Sequence, residues 1–333
     1  MSVYIIAEVG QAHDGSLGIL HSYIDSLSVT GVDAIKFQTH IAEAESSMYE
    51  PFRVNFSRVD KSRYDYWKRM EFSLPQWKEI KAHCNQVGLD FISSPFSNQA
   101  VDLLEKVGVK FYKIGSGEVS NFLLLEKVAR TKKPIILSSG LSSYVDIENA
   151  INFLKPFGND ISVLQCTTKY PTQAKDIGLN VISEMKNKFN IKVGLSDHSG
   201  EIFPSLAATS LGANILEFHA VFDKRMFGPD STSSLEIDKI AELVKGVRFI
   251  ESSLSNKIDK NDFNDKRSLK QMFGKSLSVN KDLEQDSIII FDDLEAKKPE
   301  GYGIPAMNYQ KVIGKKLNKK LVCWSFLNED DLI

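Results

Sequence analysis

Short apolar runs alternate with longer amphipathic segments from residue 3 to about residue 252. Continuous apolar runs are typical of parallel strands that are covered on both faces, whereas apolar positions at three- and four-residue spacing indicate helices. The predicted strands are 4–9, 33–38, 90–93, 111–114, 134–137, 161–165, 192–195 and 214–218. Helices are predicted over 16–30, 75–87, 99–107, 121–130, 144–154, 202–211 and 235–251, with one more between the sixth and seventh strands.

Eight strand–helix units in about 250 residues match the size of a TIM barrel, (β/α)8. The spacing does not prove that the sheet closes, so a doubly wound sheet is the alternative. A barrel predicts that the polar clusters after each strand meet on one face. We therefore predict a TIM-barrel catalytic domain over 1–252.

The remaining residues have a different composition. Residues 253–273 are polar and charged, and we interpret them as a linker. Residues 274–333 contain short strand-like segments at 276–279, 287–291 and 321–324 and are predicted to form a small β-rich domain. A domain of this size is marginally stable alone, so it should dock on another surface.

Composition narrows the class of protein. The net charge of −2 argues against a general nucleic-acid-binding surface, and three cysteines without CxxC spacing argue against a disulfide framework. The first residues have strand character and lack a basic signal-peptide region, and no run reaches the roughly 18 apolar residues of a membrane span. We expect a cytoplasmic enzyme. The segment 39–74 is too long for a simple connection, which suggests a functional loop.

Two histidines end neighbouring predicted strands, His198 in GLSDHS and His219 in LEFHA. Two neutral imidazoles at adjacent strand ends predict a divalent-metal site. Glu8 and Asp197 are the acidic candidates for its surroundings. Three interpretations of His13 stay open: a third metal ligand, a substrate contact and a solvated loop residue.

Lys36 and Lys113 lie within or at the end of apolar strands, where a lysine needs an anion or a depressed pKa. One hypothesis is a Schiff-base lysine. Another is a pair of cations that binds a phosphate and a carboxylate; a third is simple pairing with Glu8 or Glu118. Serine hydroxyls after the strands favour the anion-binding hypothesis, namely those of Ser94, Ser116 and Ser138.

Several stretches resemble the N-acetylneuraminate (sialic acid) synthase family, in the family's order and spacing. They are AEVGQAHDGSL at 7–17, IKFQTH at 35–40, SSPFS at 93–97, YKIGSGE at 112–118, GLSDH at 194–198 and GPD at 228–230. The tail is similar to the family's C-terminal antifreeze-like (SAF, β-clip) domain through AKKP at 296–299, GI at 303–304 and GK at 314–315.

The resemblance implies a phosphoenolpyruvate-dependent transferase of sialic acid biosynthesis. Such an enzyme forms a C–C bond between phosphoenolpyruvate and an N-acetylated hexosamine, with N-acetylmannosamine as the first candidate acceptor. The resemblance also implies Mn²⁺, with Mg²⁺ or Co²⁺ as alternatives, on His198 and His219. The implied phosphoenolpyruvate-binding residues are Lys36, Ser94, Lys113, Ser116 and Ser138. The implied sugar-binding residues are Gln38, Phe96, Glu118, Thr168, Tyr170, Asp230 and Lys298. The resemblance further implies catalytic roles for Glu8, Glu118, Lys36 and Lys113, and a homodimer with a swapped antifreeze-like domain.

Three residues depart from the family pattern, all on the sugar side. In Gln11-Ala12-His13, the residue immediately before the histidine is not the Asn that the family usually has. Thr168 stands where the family has Asn, and Lys298 stands where it has Arg. A legionaminate- or pseudaminate-type synthase acting on a modified sugar is therefore an alternative. Two further alternatives are a metal-independent Schiff-base aldolase that uses Lys113 or Lys36, and a sugar-binding protein without activity. Asp230 also fits an ordinary turn or helix cap.

Overall fold

The computed structural model describes residues 2–54, 56–262 and 264–333. Asn55 of the long segment and Phe263 of the predicted linker therefore lie outside the described residues, as does Met1. The chain divides into two compact units, Met1–Asn256 and Lys257–Ile333.

The first unit is a closed barrel of eight parallel strands. They are β1 (Tyr4–Gly10), β2 (Ala34–Thr39), β3 (Asp90–Pro95), β4 (Tyr112–Ile114), β5 (Ile135–Ser138), β6 (Ile161–Cys166), β7 (Lys192–Asp197) and β8 (Ile215–Val221). Each strand pairs with the next, and β8 pairs with β1. The predicted TIM barrel is confirmed and the doubly wound alternative is wrong. A short β9 (Leu235–Glu236) adds to β8.

Helices follow the strands around the barrel. They are α1 (Leu17–Ser28), α2 (Ala42–Glu45), α3 (Arg63–Met70), α4 (Leu74–Gln86), α5 (Asn98–Val107), α6 (Phe122–Ala129), α7 (Tyr144–Leu154), α8 (Leu179–Phe189), α9 (Phe203–Ser210) and α10 (Ile237–Ser255). Side-chain caps fix several starts: Ser16 accepts from the Ile19 amide, and Ser143 forms a capping box with Asp146.

The barrel interior is layered. One apolar cluster contains Ile6, Ala34, Ile92, Ile136, Leu164 and Ile215. Two residues further along the same strands lie Glu8, Lys36, Ser94, Ser138, Cys166 and Glu217, all buried. Because alternate residues of a strand point to the same face, an apolar layer supports a polar layer nearer the strand ends.

Strand register brings opposite charges together in that polar layer. Glu8 of β1 is paired in register with Lys36 of β2 on one side and with His219 of β8 on the other. Barrel closure between β1 and β8 therefore creates the contact between the first and last strands.

The segment between β2 and α4 contains two helices. Tyr66, Trp67 and Met70 of α3 bury their side chains against Ala42 of α2. This small apolar cluster holds α2 and α3 together within the segment.

The second unit differs from prediction in its details. Helix α11 (Arg267–Phe273) lies inside the predicted linker, and α10 runs to Ser255. Leu269, Met272 and Phe273 have helical spacing, which the charged composition obscured. Strand β10 (Ser276–Val279) is confirmed and pairs antiparallel with β11 (Leu294–Lys297), which the sequence analysis missed. The segments predicted at 287–291 and 321–324 make only isolated bridges, at Ile288 and Leu321.

The helices of the described chain were also compared with the dimensions of a bilayer. None of them combines the length and the apolar character that a membrane crossing requires.

Candidate active site

A cavity of about 520 Å³ lies at the carboxyl end of the barrel strands. Most of the predicted site residues of the first unit line it, all except His13 and Asp197: Glu8, Lys36, Gln38, Ser94, Phe96, Lys113, Ser116, Glu118, Ser138, Thr168, Tyr170, His198, His219 and Asp230. The predicted convergence of the strand ends on one face is therefore observed.

Two lysines and two glutamates form a buried ionic cluster at the cavity wall. Lys36 Nζ lies 2.8 Å from Glu8 Oε1 and 3.6 Å from Glu217 Oε1. Lys113 Nζ donates to Glu217 Oε1 at 2.8 Å. Lys36 thus pairs with Glu8 as one hypothesis predicted, whereas Lys113 pairs with Glu217 and not with Glu118. Lys36 Nζ also donates to Ser94 Oγ at 3.4 Å, whereas Lys113, with Glu217 as its partner, keeps further N–H donors for a ligand because an ammonium has three.

The ionic cluster sets the charges of its members. Burial alone raises the pKa of Glu8, but the ammonium of Lys36 outweighs burial and holds that pKa well below its usual value. Burial lowers the pKa of Lys36, yet Glu217 and Glu8 outweigh it and the net pKa is raised. Glu8 and Lys36 are therefore both ionised at neutral pH.

A small polar pocket adjoins Lys113. Among the described residues, the buried hydroxyls of Ser138 and Thr168 have no hydrogen-bond partner. The Gly140 amide donates to Ser116 Oγ at 3.1 Å. A Cβ at Gly140 would lie 2.3 Å from Thr168 Oγ1 and 2.7 Å from Ser116 Oγ, so only glycine fits. Donors with open capacity beside a lysine are suited to an anion.

The two predicted metal-binding histidines are neighbours, with ring centroids 5.2 Å apart. His198 Nδ1 lies 3.0 Å from the Thr167 carbonyl oxygen, which can only accept, so this nitrogen carries a proton. His198 Nε2 contacts the Tyr170 hydroxyl at 3.3 Å, and His219 Nε2 lies 3.3 Å from Glu8 Oε2.

These imidazoles fit a divalent cation. Burial lowers the pKa of His219, which favours the neutral ring that a metal requires. The carbonyl at His198 Nδ1 is the usual partner of a ligating histidine's second nitrogen. Burial lowers the pKa of His198, but Cys166 and the Thr167 carbonyl raise it to about 9, so this ring is protonated at neutral pH and a metal would have to displace its Nε2 proton. The described residues include no group of three or more potential ligands, so substrate or water would complete the shell.

An arginine from the long segment contacts the sugar-side residues. The Arg53 guanidinium carbon lies 3.9 Å from the Tyr170 ring centroid, and its Nη2 donates to Asp230 Oδ1. Asp230 therefore makes an ion pair with Arg53, which a simple turn or cap does not explain.

Aromatic rings form another part of the wall. The His40 ring stacks on Trp67 and on Phe96, with centroids 3.9 Å and 4.7 Å away. His40 Nδ1 contacts Glu45 Oε1 at 2.6 Å. Burial raises the pKa of Glu118, the neighbouring carboxylate, while Asn121 donates to it at 2.7 Å.

Three candidates lie elsewhere. Lys298 belongs to the second unit, where its ammonium lies 5.0 Å from the Phe273 ring centroid, and its sugar contact stays a prediction. Asp197 is buried and accepts from Ser199 Oγ at 2.6 Å, and it does not line the cavity. His13 is buried rather than solvated: it packs on Phe72, and the Gly15 amide donates to its Nδ1 at 3.0 Å.

His13 is expected to make the fold sensitive to acid. Burial, with His40 and Arg69 nearby, lowers its pKa from 6.5 to about 3. The unfolded chain therefore takes up a proton first, and stability that is complete above about pH 6.5 is lost as the pH falls towards about 3. The free energy of unfolding should fall by about 2 kcal/mol between about pH 7 and about pH 5 through this group.

Denaturant unfolding at the two pH values measures this loss. The matched variant His13→Gln retains an acceptor for the Gly15 amide and cannot titrate, so its loss should be smaller by the same amount. Equal losses in both proteins would show that His13 is not the responsible group.

Glu217 and Arg53 are two of the lining residues that were not predicted. Glu217 lies two residues before His219 on β8, so the two-residue period of a strand could have placed both on one face. Arg53 carries no such signal. The length of the segment 39–74 indicated function, but only the folded segment shows which residue reaches the cavity.

Fold and site together define the class of protein: a (β/α)8 barrel whose catalytic face combines a buried lysine–glutamate cluster with a pair of imidazoles. The model of the NeuB family matches residues 23–259. The chain belongs to this family.

Named relatives cover nearly the whole chain. It is 34% identical over 335 residues to N,N'-diacetyllegionaminic acid synthase of Campylobacter jejuni, covering 99% of this chain and 98% of that protein. It is 34% identical to human N-acetylneuraminate-9-phosphate synthase, over 94% of this chain and 88% of that protein. The crystal structure of an N-acetylneuraminic acid synthetase from Leptospira borgpetersenii has a TM-score of 0.71 at 28% identity, over 81% of this chain and 90% of that one.

Proposed function

We propose that this protein is a nonulosonic acid synthase that condenses phosphoenolpyruvate with an N-acetylated hexosamine and releases phosphate. The observation that carries the proposal is the meeting, in one cavity, of two buried lysines from β2 and β4 with the imidazoles of His198, directly after β7, and His219 of β8. The lysines are suited to an anionic substrate, and the imidazoles are suited to a metal ion that polarises an aldehyde. Membership of a family with relatives named as such synthases supports the reaction class.

Phosphoenolpyruvate would bind at the lysine end of the cavity. Lys36 and Lys113 would hold its carboxylate and phosphate, and Ser94, Ser116 and Ser138 would donate hydrogen bonds. The Ser138 hydroxyl, which has no hydrogen-bond partner among the described residues, and the close approach of Gly140 to Ser116 support this location. Lys36 is firmly protonated in its ionic cluster, which argues against the Schiff-base alternative for that residue, because an imine-forming lysine must lose its proton.

The carboxylates divide the remaining chemistry. C3 of phosphoenolpyruvate forms the new bond to the aldehyde carbon, water adds at C2, and phosphate leaves with cleavage of the C–O bond. Ionised Glu8 would stabilise the positive charge that develops at C2. Glu118, with a raised pKa, is suited to move a proton. His198 and His219 would hold the divalent metal, with Mn²⁺ as the first candidate. When bound, this ion would act as a Lewis acid that polarises the aldehyde.

The acidic side chains that line the cavity outside the barrel strands favour an acceptor without a phosphate. Glu45, Glu50, Glu118 and Asp230 line this part of the cavity together with Arg53 and Arg63. Arg53 is paired with Asp230, and Arg63 lies 3.1 Å from Glu50. Four carboxylates against two paired guanidinium groups would repel a sugar phosphate.

A diacetamido sugar is the second candidate acceptor, giving a legionaminate-type product. Thr168 supports it, since the resemblance places this departure from the family pattern on the sugar side. The named legionaminic acid synthase among the relatives also supports it. We further propose that residues 274–333 form the antifreeze-like domain of a swapped dimer, with Lys298 at the N-acyl group.

Phosphate release tests the proposal. The protein is incubated with phosphoenolpyruvate, Mn²⁺ and one of three acceptors: N-acetylmannosamine, its 6-phosphate, or a 2,4-diacetamido hexose. With a neutral acceptor we expect phosphate release and, by mass spectrometry, an acid with a nine-carbon backbone. With the 6-phosphate we expect kcat/KM to be at least about 10-fold lower.

The alternatives give different results in the same assay. Activity that survives EDTA together with trapping by borohydride would indicate a Schiff-base aldolase. Sugar binding without phosphate release from any acceptor would indicate a protein that has lost catalysis. Either result would refute the proposed function.

A further inference from the structure

Four side chains form a cluster between α1 and α4, away from the cavity. His21 and Asp25 are one helical turn apart on α1, and Glu79 and His83 are one turn apart on α4. The Nδ1 atoms of the two histidines lie 2.7 Å apart. His83 Nε2 lies 2.8 Å from Asp25 Oδ1, and His21 Nε2 lies 3.4 Å from Glu79 Oε1. Each imidazole therefore faces a carboxylate from the other helix.

We propose that this cluster binds a divalent transition-metal ion such as Zn²⁺ between the two Nδ1 atoms. No part of the proposed condensation uses these residues, so the inference stands apart from it.

Hydrogen-bond accounting supports a cation at this position. A neutral imidazole has one N–H, and the Asp25 carboxylate can only accept, so His83 Nε2 is the donor and its Nδ1 is a lone pair. If His21 donates likewise to Glu79, two lone pairs face each other at 2.7 Å, and this contact requires a cation between them, either a shared proton or a metal ion. If His21 instead donates to His83, its Nε2 lone pair lies beside the Glu79 carboxylate. That buried nitrogen indeed has no hydrogen-bond partner in the described chain.

Metal binding would satisfy every group in the cluster. Zn–N bonds of about 2.0–2.1 Å at a tetrahedral angle need the two Nδ1 atoms about 3.3 Å apart, so the rings would separate slightly from their present 2.7 Å to admit the ion. Both Nε2 atoms then donate to carboxylates, which is the arrangement that orients ligating histidines in metalloproteins. The two carboxylates also balance the charge of a divalent ion.

The site is open to solvent. The His21 and His83 side chains are 24% and 19% exposed, so water can reach the ion. Two protein ligands completed by water agree with the lack, within the described residues, of any group of three potential ligands. Binding would join α1 to α4 on the outside of the barrel and stabilise the folded protein by mass action.

Equilibrium dialysis of the metal-free full-length protein against Zn²⁺ tests the proposal. The double variant His21→Gln/His83→Gln should bind one Zn²⁺ per chain fewer than the unmodified protein, while any ion on His198 and His219 is retained. Asp25→Asn keeps both imidazoles and removes one carboxylate partner, so it should weaken this Zn²⁺ site about 10-fold.

Thermal unfolding provides a second measurement. Zn²⁺ should raise the unfolding midpoint of the unmodified protein by about 3 °C more than that of the double variant. Equal Zn²⁺ stoichiometry in both proteins would overturn the proposal and show that the histidines share only a proton. Should the double variant fail to fold, Asp25→Asn decides: unchanged Zn²⁺ affinity overturns the proposal, and the 10-fold loss supports it.

Discussion

Replacing Lys113 with methionine is expected to lower kcat/KM for phosphoenolpyruvate on the order of 10³-fold, about 4 kcal/mol of transition-state stabilisation. Methionine is of similar length but has no charge. The Lys113 ammonium lies at the wall of a buried cavity beside the polar pocket of Ser116, Ser138 and Gly140. Removing it leaves the bound anion with one lysine fewer where water does not screen the loss.

The same change threatens stability, because Glu217 loses the partner that is 2.8 Å away. Breaking a buried ion pair costs roughly 3–5 kcal/mol, whereas replacing both members by apolar groups is often neutral. The double variant Lys113→Met/Glu217→Met should therefore regain most of the stability while its activity stays low. Denaturant unfolding and steady-state phosphate release measure the two effects separately.

A surface lysine supplies the matched control for Lys113. Lys110 lies just before β4 with its side chain 66% exposed, in an ion pair with Asp90. Lys110→Met should keep normal activity, because an exposed pair contributes little. If the double variant recovers activity along with stability, Lys113 has no role in binding the anion.

Replacing His198 with alanine is expected to lower Mn²⁺-stimulated phosphate release on the order of 10³-fold, since Lewis-acid assistance contributes several kcal/mol. His198 presents Nε2 to the cavity because the Thr167 carbonyl fixes Nδ1. EDTA should abolish the activity of the unmodified protein, and added Mn²⁺ should restore it. The variant should require a much higher Mn²⁺ concentration or fail to respond.

Lys192 is the matched control on the same strand. It lies at the other end of β7, exposed and paired with Asp160, so Lys192→Ala should respond to Mn²⁺ like the unmodified protein. Direct Mn²⁺ binding, measured by electron paramagnetic resonance, separates loss of the ion from loss of fold. A His198→Ala protein with full Mn²⁺-stimulated activity would refute the assignment of this ligand.

Hydropathy predicted the barrel well because its signal is local. Each buried parallel strand is a short apolar run, and helices such as α7 were predicted with their observed bounds. The tail was harder: its bridges at Ile288 and Leu321 depend on partners distant in sequence, so local composition predicted strands where isolated bridges form. Helix α11 was missed because its charged residues resemble a linker.

The sequence by itself determined the alternation of strands and helices, the polar residues at the strand ends and the resemblance to a synthase family. Only the tertiary structure decided which charges pair. Closure of β8 on β1 sets Glu8 between Lys36 and His219, and Lys113 finds Glu217 rather than Glu118. Ion pairs across a barrel depend on register and on the direction of each side chain, which are collective properties of all eight strands.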